Sequence, residues 1–220
     1  MPSLSPIWTP FSAPWMIWVL LAMFLVFMVT VLVNGSQVTD GFLTFFARIE
    51  RRYTDGIIVP GMGLVMHLFR VTVVALALYW FLWNLYAPHT PFTPAPFGMM
   101  IMLTIAVWGV HHLLLVWVSE TFSLRQQMTA FVHHYLGLWT AVAVVLYALV
   151  LLGSYVVSPR PVLIGMAVVA GLYPIAVLIK IVTLSRLSIR SLVFIPLYLL
   201  TVDVLPMVAL FFVGKYIVTL

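Results

Sequence analysis

Six long segments of this chain carry almost no charge, and that pattern leaves few ways to fold. Residues 15–33 hold no ionisable group over 19 positions. Residues 63–86 are apolar except for His67, Arg70 and Asn84. Residues 98–118 contain His111 and His112, and residues 131–153 contain His133 and His134, with no Asp, Glu, Lys or Arg in either. Residues 161–179 are uncharged, and residues 191–213 hold one acid, Asp203. A helix rising about 1.5 Å per residue needs about 20 apolar residues to cross a bilayer. In hydrocarbon only helices or closed barrels satisfy every backbone N–H and C=O. The ten-residue alternation of a membrane barrel is missing here. The expected fold is therefore all-α: a polytopic integral membrane protein, one domain over residues 1–220, built as a bundle of about six transmembrane helices.

Composition closes the soluble alternative. Hydrophobic residues make up 65% and charged residues 7%, against roughly 45–50% and 25% in soluble domains. There is no cysteine, which excludes disulfides, thiolate metal sites and thiol nucleophiles. The net charge of +5 comes from ten cations and five acids. It reads as an orientation signal rather than a nucleic-acid patch. The first segment has no Lys or Arg before it and is long for a signal-peptide core, so it reads as a true span.

The cations fall mainly on one side. Arg48, Arg51 and Arg52 follow the first span, Arg125 follows the third, and Lys180, Arg186 and Arg190 follow the fifth. The other side holds Arg160 and Lys215. Cytoplasmic loops collect Lys and Arg, so both termini are expected on the periplasmic side of a bacterial inner membrane. Trp8, Trp15, Trp18, Tyr79, Trp80, Trp83 and Tyr86 then fall at the outer ends of spans one and two, as an aromatic belt would. Residues 39–53 place Phe42, Phe45, Phe46, Ile49 and Tyr53 on one stripe, with Arg48 and Arg51 opposite. That predicts a cytoplasmic interfacial amphipathic helix.

The loops and the small residues carry local signals. Pro91, Pro94 and Pro96 predict a short stiff outer loop over residues 89–96, and Ser158-Pro159-Arg160-Pro161 predicts a turn. Pro174, Pro196 and Pro206 lie within spans five and six and predict kinks. The pairs Gly137/Ala141 and Ala167/Gly171 have the spacing of close helix contacts.

Any chemistry rests on few residues. A carboxylate at the depth of Asp203 costs about 2.5–3.5 kcal/mol on insertion scales, so it needs a partner, a proton or water. The candidate intramembrane cluster is Asp203, Arg70, His67, His111, His112, His133 and His134. His67 and Arg70 are three apart and share a helix face. Three uses compete: hydrogen bonds that fix helix packing, a proton path with Asp203 titrating and histidines relaying, and haem or metal ligation by histidines of spans three and four. Adjacent histidines diverge by about 100° on a helix, so each pair offers one ligand to one site. Nucleophile-elbow, P-loop, zinc-protease and dinucleotide motifs are all missing from the sequence.

The run Leu197-Tyr198-Leu199-Leu200-Thr201-Val202-Asp203-Val204-Leu205-Pro206 resembles the end of a Bacteroidota integral-membrane family catalogued as domain of unknown function 4271. That family carries a Leu-Tyr-Leu run, an intramembrane acid and a proline three residues on. The basic stretch 180–190 and the stretch from Thr121-Phe122-Ser123-Leu124 to Gly137 resemble its other segments, so the likeness covers roughly residues 40–215. Asp203 stands where the family pattern has Glu. The resemblance implies a polytopic inner-membrane protein and brings no activity with it. The expected role is a non-enzymatic structural or accessory subunit of an envelope assembly. Its partners would be the lipid bilayer and either other inner-membrane proteins or further copies of the chain, with no cofactor and no nucleic acid. The alternatives are a small proton-coupled carrier or channel using Asp203 and nearby histidines, and a haem- or metal-binding membrane subunit.

Overall fold

The computed structural model of the protein describes residues 13–46, 62–121, 125–184 and 204–219. All of its regular structure there is helical: α1 (Pro14–Phe46), α2 (Met62–Tyr86), α3 (Pro94–Thr121), α4 (Arg125–Tyr155), α5 (Pro159–Leu184) and α6 (Leu205–Thr219). Five of these helices hold a stretch long and apolar enough to cross a membrane: Pro14–Leu32, Leu64–Tyr86, Pro94–Leu114, Tyr135–Tyr155 and Pro159–Ile179. The architecture is thus the expected all-helical bundle, and its five apolar helices are those of a multi-pass membrane protein. Of the sixth expected span, residues 191–203 lie outside the described residues. The described part, α6, is apolar, 15 residues long, and runs beyond residue 213 to Thr219.

Helix α2 is the hub, since it touches each of the other five helices. Helices α1 and α5 both pack on α4, and α6 packs on α3. The residues of α2 explain its place. Phe69, Val71, Val73, Val74, Ala75, Leu76, Ala77, Tyr79, Trp80 and Leu82 are all buried, and they project around the whole helix. A helix apolar on every side belongs in an interior or in lipid, and α2 has neighbours enough to fill the first role. The outer helices show the second. Met102, Ile105 and Leu113 of α3, and Ile164, Val168, Leu172 and Ile175 of α5, point away from the bundle. In a bilayer such side chains meet acyl chains at no desolvation cost.

Several sequence expectations shift in the structure. Helix α1 continues without a break through Gly35 and Gly41 to Phe46. The start of the expected interfacial helix is therefore fused to the first span, and residues 47–53 lie outside the described residues. One glycine costs a helix about 1 kcal/mol, which a long apolar helix tolerates. Pro94 and Pro96 belong to the first turn of α3 rather than to the loop, where their missing N–H groups have no helical acceptor to lose. Pro159 and Pro161 open α5 in the same way, and Pro174 lies inside that helix, which continues through it.

Tyr79, Trp80 and Trp83 do not form a headgroup belt. They are 1%, 0% and 3% exposed and sit inside the bundle. Tyr79 and Trp83, with Trp15 of α1, hold the loop between α2 and α3. The Tyr79 hydroxyl donates to Thr93 O at 3.0 Å and accepts from Thr93 N at 3.2 Å. The indoles of Trp83 and Trp15 donate to Thr90 O at 3.0 Å and Phe92 O at 3.1 Å. The Phe92 ring stacks on Tyr79 at 4.4 Å and on Trp15 at 5.2 Å. Loop carbonyls that a bilayer interior would leave unpaired thus receive donors from the spans.

Of the expected small-residue pairs, Ala167/Gly171 makes no close contact. Ala167 and Gly171 are exposed, and a methyl at Gly171 would meet open space. One tight approach is at Gly153 of α4, where a Cβ would stand 2.7 Å from Trp80 Cη2 and Cζ2 and 3.0 Å from Val162 Cγ1. Because the indole is fully buried, it has no free space to retreat into. Gly153→Ala should cost about 1–2 kcal/mol through overpacking, while Gly171→Ala should leave stability unchanged or slightly raised. Thermal melting of the two variants in detergent, followed by size exclusion, checks the contrast. Equal midpoints would refute the contact.

Candidate functional site

The polar residues of the spans gather into two sets around α4. The first joins α2 to α4. His67 and Arg70 lie one turn apart on α2, and Arg70 Nη1 stands 3.2 Å from His67 Nδ1. A guanidinium has no acceptor, so Arg70 donates and His67 Nδ1 offers its lone pair. Arg70 Nε donates to the Thr140 hydroxyl of α4 at 2.9 Å. That hydroxyl donates in turn to Leu136 O at 2.9 Å. The His67 ring lies against Trp108 of α3 with centroids 4.4 Å apart, and Trp108 stacks on His112 at 6.3 Å.

The second set joins α3, α4 and α5. The Tyr173 hydroxyl donates to the Tyr135 hydroxyl at 2.9 Å, and the Tyr135 oxygen lies 2.9 Å from His111 Nε2. The His111 and Tyr135 rings are nearly parallel, with centroids 4.9 Å apart. All three side chains are buried. Either group can be the donor between the Tyr135 hydroxyl and His111 Nε2, according to the histidine tautomer. Nitrogen-15 shifts of labelled histidine report the His111 tautomer in the wild type. Tyr135→Phe should shift the His111 signal, because it removes the hydroxyl that stands 2.9 Å from Nε2. An unchanged His111 signal in the variant would contradict the hydrogen bond.

The structure thus brings together His67 with Arg70, as their spacing requires, and separates His111 from His112. His111 is 5% exposed, while its neighbour faces outward, the divergence expected of adjacent helical residues. Asp203 lies outside the described residues, and so do the side chains of His133, His134 and Glu120. The expectation that Asp203 finds a partner, a proton or water therefore falls outside them too. Among the described residues, no group of three or more His, Asp and Glu stands close enough to hold a metal ion.

Thr140, Tyr135, Tyr173 and Trp108 complete the sets, and sequence reasoning did not single them out. Threonine and tyrosine are ordinary in spans, and the partner that gives each its role sits on another helix. The one sequence signal was the need of Arg70 for an acceptor, which does not say where the acceptor lies. Between the two sets is a crevice of about 30 Å³, walled by Thr104, Trp108, His111, Tyr135, Trp139 and Pro206 among others.

A family model described as domain of unknown function (DUF4271) matches residues 16–213. No curated protein and no solved structure matches the chain.

Proposed function

The chain belongs to the DUF4271 family, and on that premise we propose that it is a non-enzymatic structural or accessory subunit of a bacterial inner-membrane assembly. The observation that carries this reading is the use made of the span polar groups. Arg70 spends a donor on Thr140 across the α2–α4 contact, and His111, Tyr135 and Tyr173 bond in a row across three helices. Polar side chains arranged in that way hold helices to one another. The Bacteroidota inner membrane is the setting that the family resemblance suggests. The partners are other inner-membrane proteins or further copies of the chain. Affinity purification from native membranes in mild detergent tests the reading. Envelope proteins or extra copies recovered in fixed ratio support it, and a monodisperse, single-copy protein overturns it.

The second reading is a small proton-coupled carrier or channel, in which His111 and Pro206 border the same crevice. Asp203, three residues before Pro206 in the sequence, is its titrating group. Asp203→Asn separates the two roles, because an amide can hydrogen-bond but cannot titrate. Under the subunit reading the Asn variant folds and complements a deletion. Under the carrier reading it folds and fails.

The cation bias of the loops supports a topology with both termini in the periplasm. Reporter fusions at Leu220 and within residues 38–53 should be active outside and inside, respectively. A cytoplasmically active reporter at Leu220 would reverse the topology.

A further inference from the structure

Lys215 is the one cation of α6, and its ammonium lies 4.5 Å from the ring centroid of Tyr86, the last residue of α2. Phe211, one turn earlier on α6, meets the same ring edge-on at 6.4 Å. An aromatic face attracts a cation but does not neutralise it, and an ammonium has three N–H donors to satisfy. By sequence and element order, the acids belong elsewhere. Residues 1–13, 87–93 and 156–158, which lie before or between helices at this end of the bundle, hold no Asp or Glu. Asp40 is in the last two turns of α1, Glu50 and Asp55 fall between α1 and α2, and Glu120 is in the last turn of α3. Those positions belong with the start of α2, whereas Tyr86 is at its end. Asp203 precedes α6, which rises about 15 Å between Leu205 and Lys215. The counter-charge for Lys215 therefore comes from outside these side chains.

An apolar stripe leads up to the cation. Leu205, Val208 and Phe212 precede Lys215 at steps of three, four and three, the spacing of one helix face, and all three are exposed. The stripe is about 15 Å long, half of the roughly 30 Å hydrocarbon thickness of a bilayer. We propose that this edge of the α2–α6 contact binds one anionic phospholipid, its phosphate on the Lys215 ammonium and an acyl chain along Leu205, Val208 and Phe212. A lipid phosphate is the anion that a membrane supplies at the end of a span. The Tyr86 ring holds the ammonium beside the stripe, so that headgroup and chain meet their partners at one place. The proposal goes beyond the subunit reading and does not depend on it.

Native mass spectrometry of the full chain, released from a mild detergent, tests the site. With phosphatidylglycerol and phosphatidylcholine added at equal concentration, the wild type should retain severalfold more phosphatidylglycerol, as a single bound lipid. Lys215→Gln should abolish that preference and Lys215→Arg should keep it. Arg160→Gln removes the other cation at this end and should leave the preference unchanged. Tyr86→Leu removes the ring and should lower the preference, which decides the matter if Lys215→Gln fails to fold. Equal retention of the two lipids by the wild type overturns the proposal. So does an undiminished preference in a folded Lys215→Gln or Tyr86→Leu variant. A loss in Arg160→Gln as large as that in Lys215→Gln overturns it too, since net charge alone would then explain the result. Displacement of the lipid by inorganic phosphate at the same concentration also overturns it, because the apolar stripe would then take no part.

Discussion

Trp80→Ala should remove most of the folded protein. The indole is fully buried on the hub helix, under Gly153 of α4 and against the cluster that joins α1, α2, α3, α4, α5 and α6. Truncating a buried tryptophan costs about 3–5 kcal/mol, because the lost contacts are joined by a cavity that its neighbours only partly fill. Gly153 makes collapse harder still: the α4 backbone meets the ring with no side chain that could swing into the void. Trp80→Phe should cost far less, since it keeps an aromatic ring and also removes an N–H that has no acceptor among the described residues. The fraction recovered as a monodisperse peak after stepwise heating measures both. Similar recovery for Ala and Phe would mean that the ring is not central to the packing.

Thr140→Val is expected to be the second most damaging change described here. The substitution preserves shape and removes one oxygen, the acceptor of Arg70 Nε. Hydrogen bonds to charged groups contribute about 1.5–3 kcal/mol, and stranding the charged partner is what makes the loss large. The exposed Thr219 hydroxyl serves only its own helix, bonding to Lys215 O and Tyr216 O, so Thr219→Val should be nearly silent. Melting midpoints of the two variants, taken in the same detergent, give the comparison. Equal midpoints would show that Arg70 does not depend on Thr140.

The architecture was legible because lipid demands it. Uninterrupted apolar runs of the length of 15–33 or 161–179 have no other stable use, and they emerge as α1 and α5. The boundaries were less legible, for a physical reason. Pro94, Pro96 and Pro159 are helix breakers in mid-helix and good residues in a first turn, and the sequence does not say which register applies. The aromatic residues at the end of span two were misplaced because a belt and a core cluster have the same composition. Only the hydrogen bonds of Tyr79 and Trp83 to the following loop decide between them. Of the candidate site, the His67–Arg70 pair was readable from local spacing. The row through Tyr135 and Tyr173 was not, since three helices must be in place before those hydroxyls meet.

The central claim is that the span polar groups hold the bundle together rather than carry chemistry. It is tested most directly by removing one set whole. Replacing both sides of a buried polar contact with apolar groups of similar shape can be nearly neutral, whereas removing one side is not. The triple variant His67→Leu, Arg70→Met, Thr140→Val should therefore recover the folded yield that Thr140→Val alone loses, and it should complement a strain lacking the chromosomal copy as well as the wild type does. A triple variant that folds with wild-type yield and fails to complement would contradict the account and give His67 and Arg70 a chemical role.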